Sequence, residues 1–289
     1  MTGIIRFPNL GITLNDVPRW FSIAGFEIAC YGIVLAFAMV TGLFLVMKIA
    51  DYTGQNGDDY FDLGIITLLV SILGARIYYV IFSWDYYSQN LHEILNLRQG
   101  GLAIYGGVLF GTAAVAVFCR KRRIRWRKGL DTIAPGLVWG QMIGRWGNFF
   151  NREAFGDYAD GLLAMQIPVD DIRMNEITSL MSEHLAEIDG ITYVQVHPTF
   201  LYESLWNMCV LVILLVLIFK MKKRFEGMIA VSYFLLYGIG RFWIEALRTD
   251  QLLIPGTALP VSQVLSGALV VGAMLLLIAG FMRERKNVI

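Results

Sequence analysis

Residues 28–49 read IACYGIVLAFAMVTGLFLVMKI, twenty-two positions with a single charge, Lys48, close to the end. Wound as a helix at about 1.5 Å per residue, such a run crosses the roughly 30 Å of bilayer hydrocarbon. Hydrocarbon offers backbone N–H and C=O groups no partners but each other, so a continuous apolar run of this length reads as a membrane helix. Comparable runs lie near 61–83, 102–119, 205–219, 227–247 and 259–281. A seventh, near 130–150, is interrupted by Asp131, Pro135, Gln141 and Arg145. Strands of a membrane barrel would be about ten residues long and alternating, which none of these runs is. The composition agrees: 56% of the 289 residues are hydrophobic and 16% charged, against about 25% charged in soluble domains. The expectation is an all-α polytopic membrane protein with seven transmembrane helices, a single integral membrane domain over 1–289.

Basic residues set the orientation. Residues 120–128 hold seven Lys and Arg, 220–224 hold four and 283–286 hold three. Seven spans put all three clusters on the cytoplasmic side, with the N-terminus outside and the C-terminus in the cytoplasm. Six or eight spans would split the clusters between sides. The 120–128 cluster reads as an anchor to lipid headgroups rather than as a nucleic-acid site. Met1–Phe21 lacks the basic start, apolar core and small-residue site of a cleavable signal. It is expected to lie along the outer surface as an amphipathic lead-in. Residues 151–196 carry nine Asp and Glu against two Arg and form an expected extracytoplasmic loop subdomain between spans four and five. Cys30, Cys119 and Cys209 have neither ligand nor redox spacing, and no residue pattern predicts a metal or cofactor site.

Chemistry is expected where charge sits in apolar surroundings. A cation at the centre of a bilayer costs about 3 kcal/mol on insertion scales, and Arg76, Arg145 and Arg241 all fall inside apolar segments. Tyr237, Arg241, Glu245 and Arg248 recur at intervals of four, four and three, one helical stripe that must face the bundle or a watery cavity. A purely structural Arg241–Glu245 pair is the simpler reading of that stripe alone. Arg145 on a second span weakens it, because two arginines without equal acid partners make a site for an anion. Arg76, preceded by Gly74 and Ala75, reads as structural. His197 and Pro198 open the fifth span, and Glu203 follows inside it, which makes His197 and Glu203 candidates for the site. Glycines at 100, 101, 106, 107 and 111 surround Tyr105, the one titratable group among them.

The pattern Gly144-Arg-x-Gly-Asn-Phe-x-Asn-x-Glu-x-x-Gly156 resembles the signature of the prolipoprotein diacylglyceryl transferases. The resemblance extends to Cys30-Tyr31-Gly, Ala103-Ile-Tyr105-Gly-Gly, His197-Pro-x-x-x-Tyr202-Glu203 and Gly240-Arg241-Phe-x-Ile-Glu245-x-x-Arg248, in the family's order. It implies an enzyme of the bacterial cytoplasmic membrane, with its site towards the extracytoplasmic side. Its substrates would be phosphatidylglycerol and the lipobox cysteine of prolipoprotein signal peptides. The diacylglyceryl group would pass to the cysteine thiol as a thioether and glycerol phosphate would leave, the first step of lipoprotein maturation. By the same resemblance Arg145 and Arg241 bind the lipid phosphate, and Tyr31, Asn148, Asn151, Glu153, Tyr237 and Glu245 line the headgroup pocket. Arg248 is a further donor. Many members have His where this chain has Tyr105, and a phenol with a pKa of about 10 is a poor base at neutral pH. The chemistry agrees with the residues: sulfur attacks an sp³ carbon, no acyl oxyanion forms, and the demand falls on stabilising the departing phosphate. An anion transporter is the competing class, but the halves 28–150 and 197–281 share no spaced motif of the kind transporter repeats show.

Overall fold

The computed structural model describes residues 3–97, 100–221 and 225–287. Arg98 and residues 222–224 of the second basic cluster lie outside them. In chain order the elements are β1 (Ile5–Phe7), β2 (Ile12–Leu14), β3 (Trp20–Ile23), β4 (Phe26–Ala29), α1 (Cys30–Tyr52), α2 (Gly57–Phe82), α3 (Trp84–Tyr87), α4 (Ile104–Lys121), α5 (Trp126–Asn151), β5 (Met165–Pro168), α6 (Ser179–Glu183), β6 (Ala186–Ile188), β7 (Ile191–Val196), α7 (Thr199–Lys220), α8 (Met228–Glu245) and α9 (Val261–Asn287). Long helices occur at each of the seven apolar runs. Five of them, α1, α2, α4, α7 and α9, are long and apolar enough to cross a membrane. The protein is thus mostly helical and polytopic. α5 and α8, which carry Arg145 and Arg241, are not among the five.

Strands are the departure from an all-helical chain. Residues expected to form an amphipathic lead-in instead supply β1 and β2, which join β5, β7 and β6 in one antiparallel five-stranded sheet of order β2-β1-β5-β7-β6. The 151–196 subdomain therefore borrows its edge from the N-terminus. Alternation explains the burial: Ile5, Phe7, Met165, Ile167, Val194 and Val196 point into one core, as period-two patterning requires. That core also takes in Phe149 from the end of α5 and Phe200 from the start of α7. The sheet thereby sets the ends of the two helices that carry Arg145 and Glu203.

The chain divides into two compact units, Leu43–Ile133 and the remainder. In the 43–133 unit, Asn56 caps α2 by accepting the Asp58 N–H at 3.0 Å, and Asp58 and Asp59 favour its positive end. α2 and α4 pack through small residues: a Cβ on Gly74 would strike Phe110, and one on Gly106 would strike the Gly74 carbonyl and Tyr78. Arg122 after α4 pairs with Asp62 at 2.8 Å and Asp59 at 3.5 Å at the start of α2. Arg76 uses all five guanidinium N–H groups on backbone carbonyls, those of Glu93, Ile94, Asn96, Gly100 and Gly101, at 2.7–3.0 Å. Its role is to hold the segment that leads into α4.

In the other unit α1 meets α5, where Trp139 donates to Thr41 at 2.8 Å. A Cβ on Gly42 would sit 3.2 Å from the Gly136 carbonyl. α8 packs on α7 and α9 through Gly240 against Trp206 and Gly238 against Val270.

Candidate active site

α5 ends at Asn151, and the chain turns through Arg152 and Ala154, both with positive φ (55° and 57°). Side chains rarely adopt that region without compensation. Here the compensation is a buried anchor: Arg152 donates to the carbonyls of Phe150 (3.0 Å) and Val17 (2.6 Å) and pairs with Asp171 at 3.2 Å. Burial depresses the Arg152 pKa and Asp171 opposes that, so the ion pair holds the turn. The turn brings Glu153 back over the helix end, where its Oε1 accepts from Asn148 (3.0 Å) and Asn151 (3.3 Å). The ring of Tyr31, in the first turn of α1, packs on Gly147, which leaves no room there for a Cβ.

The charged centre lies beside this turn. Arg145 of α5 reaches Glu203 of α7 at 2.6 Å, and its other amino group lies 3.5 Å from Asn148. Arg241 of α8 bridges two carboxylates, Glu203 at 3.1 Å and Glu245 at 2.6 Å. Arg248 stands 3.9 Å from Glu203 and 4.0 Å from Glu245, and forks onto Asp250 with bonds of 2.8 and 2.6 Å. Glu203 and Glu245 are almost fully buried, at 4% and 3% exposure. The expectation of arginines without equal acid partners is thus corrected: Glu203, Glu245 and Asp250 all face them. The pairing was hidden because these contacts cross between helices, where sequence spacing carries no signal. Three guanidiniums surround the two buried carboxylates, and Asp250, at the rim, balances the third charge. Burial opposes charge on Arg248, but Asp250, Glu203 and Glu245 outweigh it and raise its pKa. Burial also pushes against the Asp250 carboxylate, and its bonds from Arg248 hold its pKa below the usual range.

Gly156 closes the loop over this centre. Its N–H donates to the His197 carbonyl at 2.9 Å, and its backbone bridges to Arg248. A Cβ there would stand 2.6 Å from the Leu247 carbonyl and 2.8 Å from the His197 Cβ. His197 itself contacts the Tyr202 hydroxyl at 3.2 Å. Burial lowers its pKa, against the pull of Asp157, so at neutral pH it is uncharged. Tyr237 stacks on Tyr233, with ring centres 5.6 Å apart. Tyr105 belongs to the 43–133 unit, at the first turn of α4, and is exposed.

Sequence reasoning missed Asp250 and the Arg152–Asp171 anchor. Asp250 had one signal, its place two residues after Arg248; the anchor had none. Alongside Asn151 and Glu153 runs a polar cavity of about 400 Å³, whose walls include Trp20, Arg152, Asp171 and Arg173. Among the described residues no cluster of His, Cys, Asp and Glu has the form of a metal site.

The class these observations define is a polytopic membrane protein in which three partly buried arginines gather around two buried carboxylates. Comparison with known proteins narrows that class. Residues 18–279 match the family described as Prolipoprotein diacylglyceryl transferase, and the chain belongs to that family. It is 41% identical over 256 residues to the phosphatidylglycerol–prolipoprotein diacylglyceryl transferase of Finegoldia magna, covering 89% of this chain and 92% of that one. It is 42% identical over 237 residues to the protein of the same name from Acaryochloris marina (82% and 81% covered), and 38% identical over 269 residues to that of Bacillus mycoides (92% and 94%).

Proposed function

We propose that this chain transfers the diacylglyceryl group of phosphatidylglycerol to the thiol of a lipobox cysteine in a prolipoprotein, the first step of lipoprotein maturation. The observation that carries the reading is the bridge of Glu203 between Arg145 and Arg241, at 2.6 and 3.1 Å. It presets two guanidinium forks from different helices around one point, and fixed donors are worth most where water is excluded.

In the reaction the substrate's sulfur forms a bond to the glycerol carbon that carries the phosphate. The carbon–oxygen bond breaks, and glycerol phosphate leaves with the electron pair. The thiol proton passes to solvent or to the released phosphate. The leaving group gains negative charge as it departs, from a phosphodiester monoanion towards a phosphomonoester dianion. Arg145 and Arg241 hold that phosphate, and Arg248 is the third donor as the charge grows. Glu203 and Glu245 orient the arginines. Asn148, Asn151 and Glu153, with Tyr31 and Tyr237, line the headgroup pocket, where Glu153 and the asparagines suit glycerol hydroxyls. His197, uncharged, serves through its contact with Tyr202 and its backbone tie to Gly156. Tyr105 remains the candidate catalytic hydroxyl that the family resemblance offers, and no enzyme base is required. The nucleophile comes from the substrate. A thiol with a pKa of about 8.5 is a few per cent thiolate at pH 7, and a cationic pocket raises that fraction.

The architecture we propose has seven transmembrane helices: the five apolar ones together with α5 and α8, whose charges face inward. The N-terminus, the sheet subdomain around 151–196 and the site lie on the extracytoplasmic side of the bacterial plasma membrane. The C-terminus and the 120–128 cluster are cytoplasmic. Support comes from the basic clusters and from the order of the long helices. The test is to incubate purified protein with labelled phosphatidylglycerol and a lipobox peptide. Thioether-linked peptide and glycerol phosphate in equal amounts are expected. Absence of thioether in every detergent and nanodisc condition contradicts the reading.

A further inference from the structure

The β3–β4 hairpin has no place in the function proposed above. It pairs Trp20 with Ala29, Phe21 with Ile28, Ser22 with Glu27 and Ile23 with Phe26. The turn runs through Ala24 and Gly25, both at positive φ (51° and 82°), the primed geometry that suits a tight hairpin. Partners across a register share a face, so Phe21, Phe26 and Ile28 lie on one side of the ribbon and Ser22 and Glu27 on the other. The apolar side is open: Phe26 is 69% exposed, Phe21 46% and Ile28 39%. Among the described residues no third strand joins it.

A lone two-stranded ribbon is marginal in water at best, and one with an uncovered aromatic face is an aggregation site. This one is also not free to wander. β4 runs into α1 without a linker. The Cys30 N–H donates to the Arg19 carbonyl at 2.9 Å, and the Cys30 thiol contacts the Pro18 carbonyl at 3.1 Å. The hairpin base is therefore pinned to the first turn of α1, a helix long and apolar enough to cross a membrane. We propose that the apolar face of β3–β4 beds in the lipid leaflet at the N-terminal end of α1. Open strand edges are not tolerated within the hydrocarbon, so the ribbon lies flat at the boundary. Its edges and the Ser22–Glu27 face stay hydrated, and Phe21, Phe26 and Ile28 dip towards the acyl chains, as the apolar face of an interfacial helix does. At its base Trp20 lines the polar cavity beside Asn151 and Glu153. The ribbon thus forms a wall with lipid on one side and that cavity at its foot.

The test needs neither substrate nor turnover, so it stands apart from the proposed reaction. Cys30 and Cys119 are buried and Cys209 is exposed. In a Cys209→Ser background, Phe26→Cys, Ile28→Cys and Glu27→Cys are each labelled with an environment-sensitive fluorophore and placed in phosphatidylcholine nanodiscs. Labels at 26 and 28 are expected to be quenched by lipids carrying a nitroxide on the acyl chain and shielded from aqueous iodide, with the label at 27 showing the reverse. Equal access of iodide to all three positions overturns the proposal. Loss of lipid quenching at 26 and 28 on adding a lipobox peptide overturns it as well, since the face then belongs to the preprotein.

Discussion

At the scale of single residues, Glu203 is the member of the centre whose loss says most. It is nearly fully buried and carries both Arg145 and Arg241. Removing one partner of a buried ion pair costs about 3–5 kcal/mol because a charge is left uncompensated. Glu203→Gln is expected to lose turnover by at least about a hundredfold, the rate equivalent of some 3 kcal/mol. Glu203→Asp, which keeps the charge, is expected to retain part of it; initial rates of thioether formation read both. Arg76 answers to a different measurement. Its five carbonyl partners make it a structural cation, and each hydrogen bond from a charged group contributes about 1.5–3 kcal/mol. Arg76→Met is expected to lower the thermal midpoint of the purified protein sharply, and an unchanged midpoint contradicts the role. His197 sets a pH dependence. Its folded pKa is depressed by burial, so the unfolded chain takes up protons first as the medium is acidified. Stability is whole above the ordinary histidine pKa of about 6.5 and falls as pH drops below it. A thermal midpoint that declines from pH 7.5 to 5.5, and declines less in His197→Asn, is the expected pattern.

At the scale of elements, the long helices were legible and the strands were not. Hydropathy located six of the long helices because apolar length is a local property, and the seventh, α5, was kept because the basic clusters required it. β1 and β2 are three residues each; β2 pairs only with β1, and β1 finds its other partner, β5, at Gln166, far along the chain from Arg6, a pairing with no local signature. The same reason divides the site. Tyr237, Arg241, Glu245 and Arg248 could be read as one stripe because they share a helix and its continuation. The contact of Arg145 with Glu203, and the five carbonyls around Arg76, link segments that only the fold brings together. Gly156 shows what the loop between elements requires. Gly156→Ala would press a Cβ against the Leu247 carbonyl and the His197 side chain, and overpacking of this kind costs about 1–3 kcal/mol. Turnover is expected to fall with the protein still inserted and folded, as displacement of Arg248 is enough to weaken the centre.

At the scale of the whole molecule, the arrangement turns on which side each segment faces. The proposed topology places the β6–β7 turn outside and the 120–128 cluster inside. In a Cys209→Ser chain, Asp189→Cys is expected to react with a membrane-impermeant maleimide in intact cells with a permeable outer layer. Arg123→Cys is expected to react only after lysis, and the opposite pattern contradicts the orientation. The central claim is that Arg145 and Arg241, held by Glu203, form the phosphate clamp of a diacylglyceryl transfer. It is tested most directly by release of glycerol phosphate from labelled phosphatidylglycerol in nanodiscs with a lipobox peptide present. The wild-type protein, Arg145→Ala and Arg241→Ala are compared at equal amounts of folded, inserted protein. The account predicts release by the wild type and none by either variant; release by either variant at the wild-type rate would contradict it.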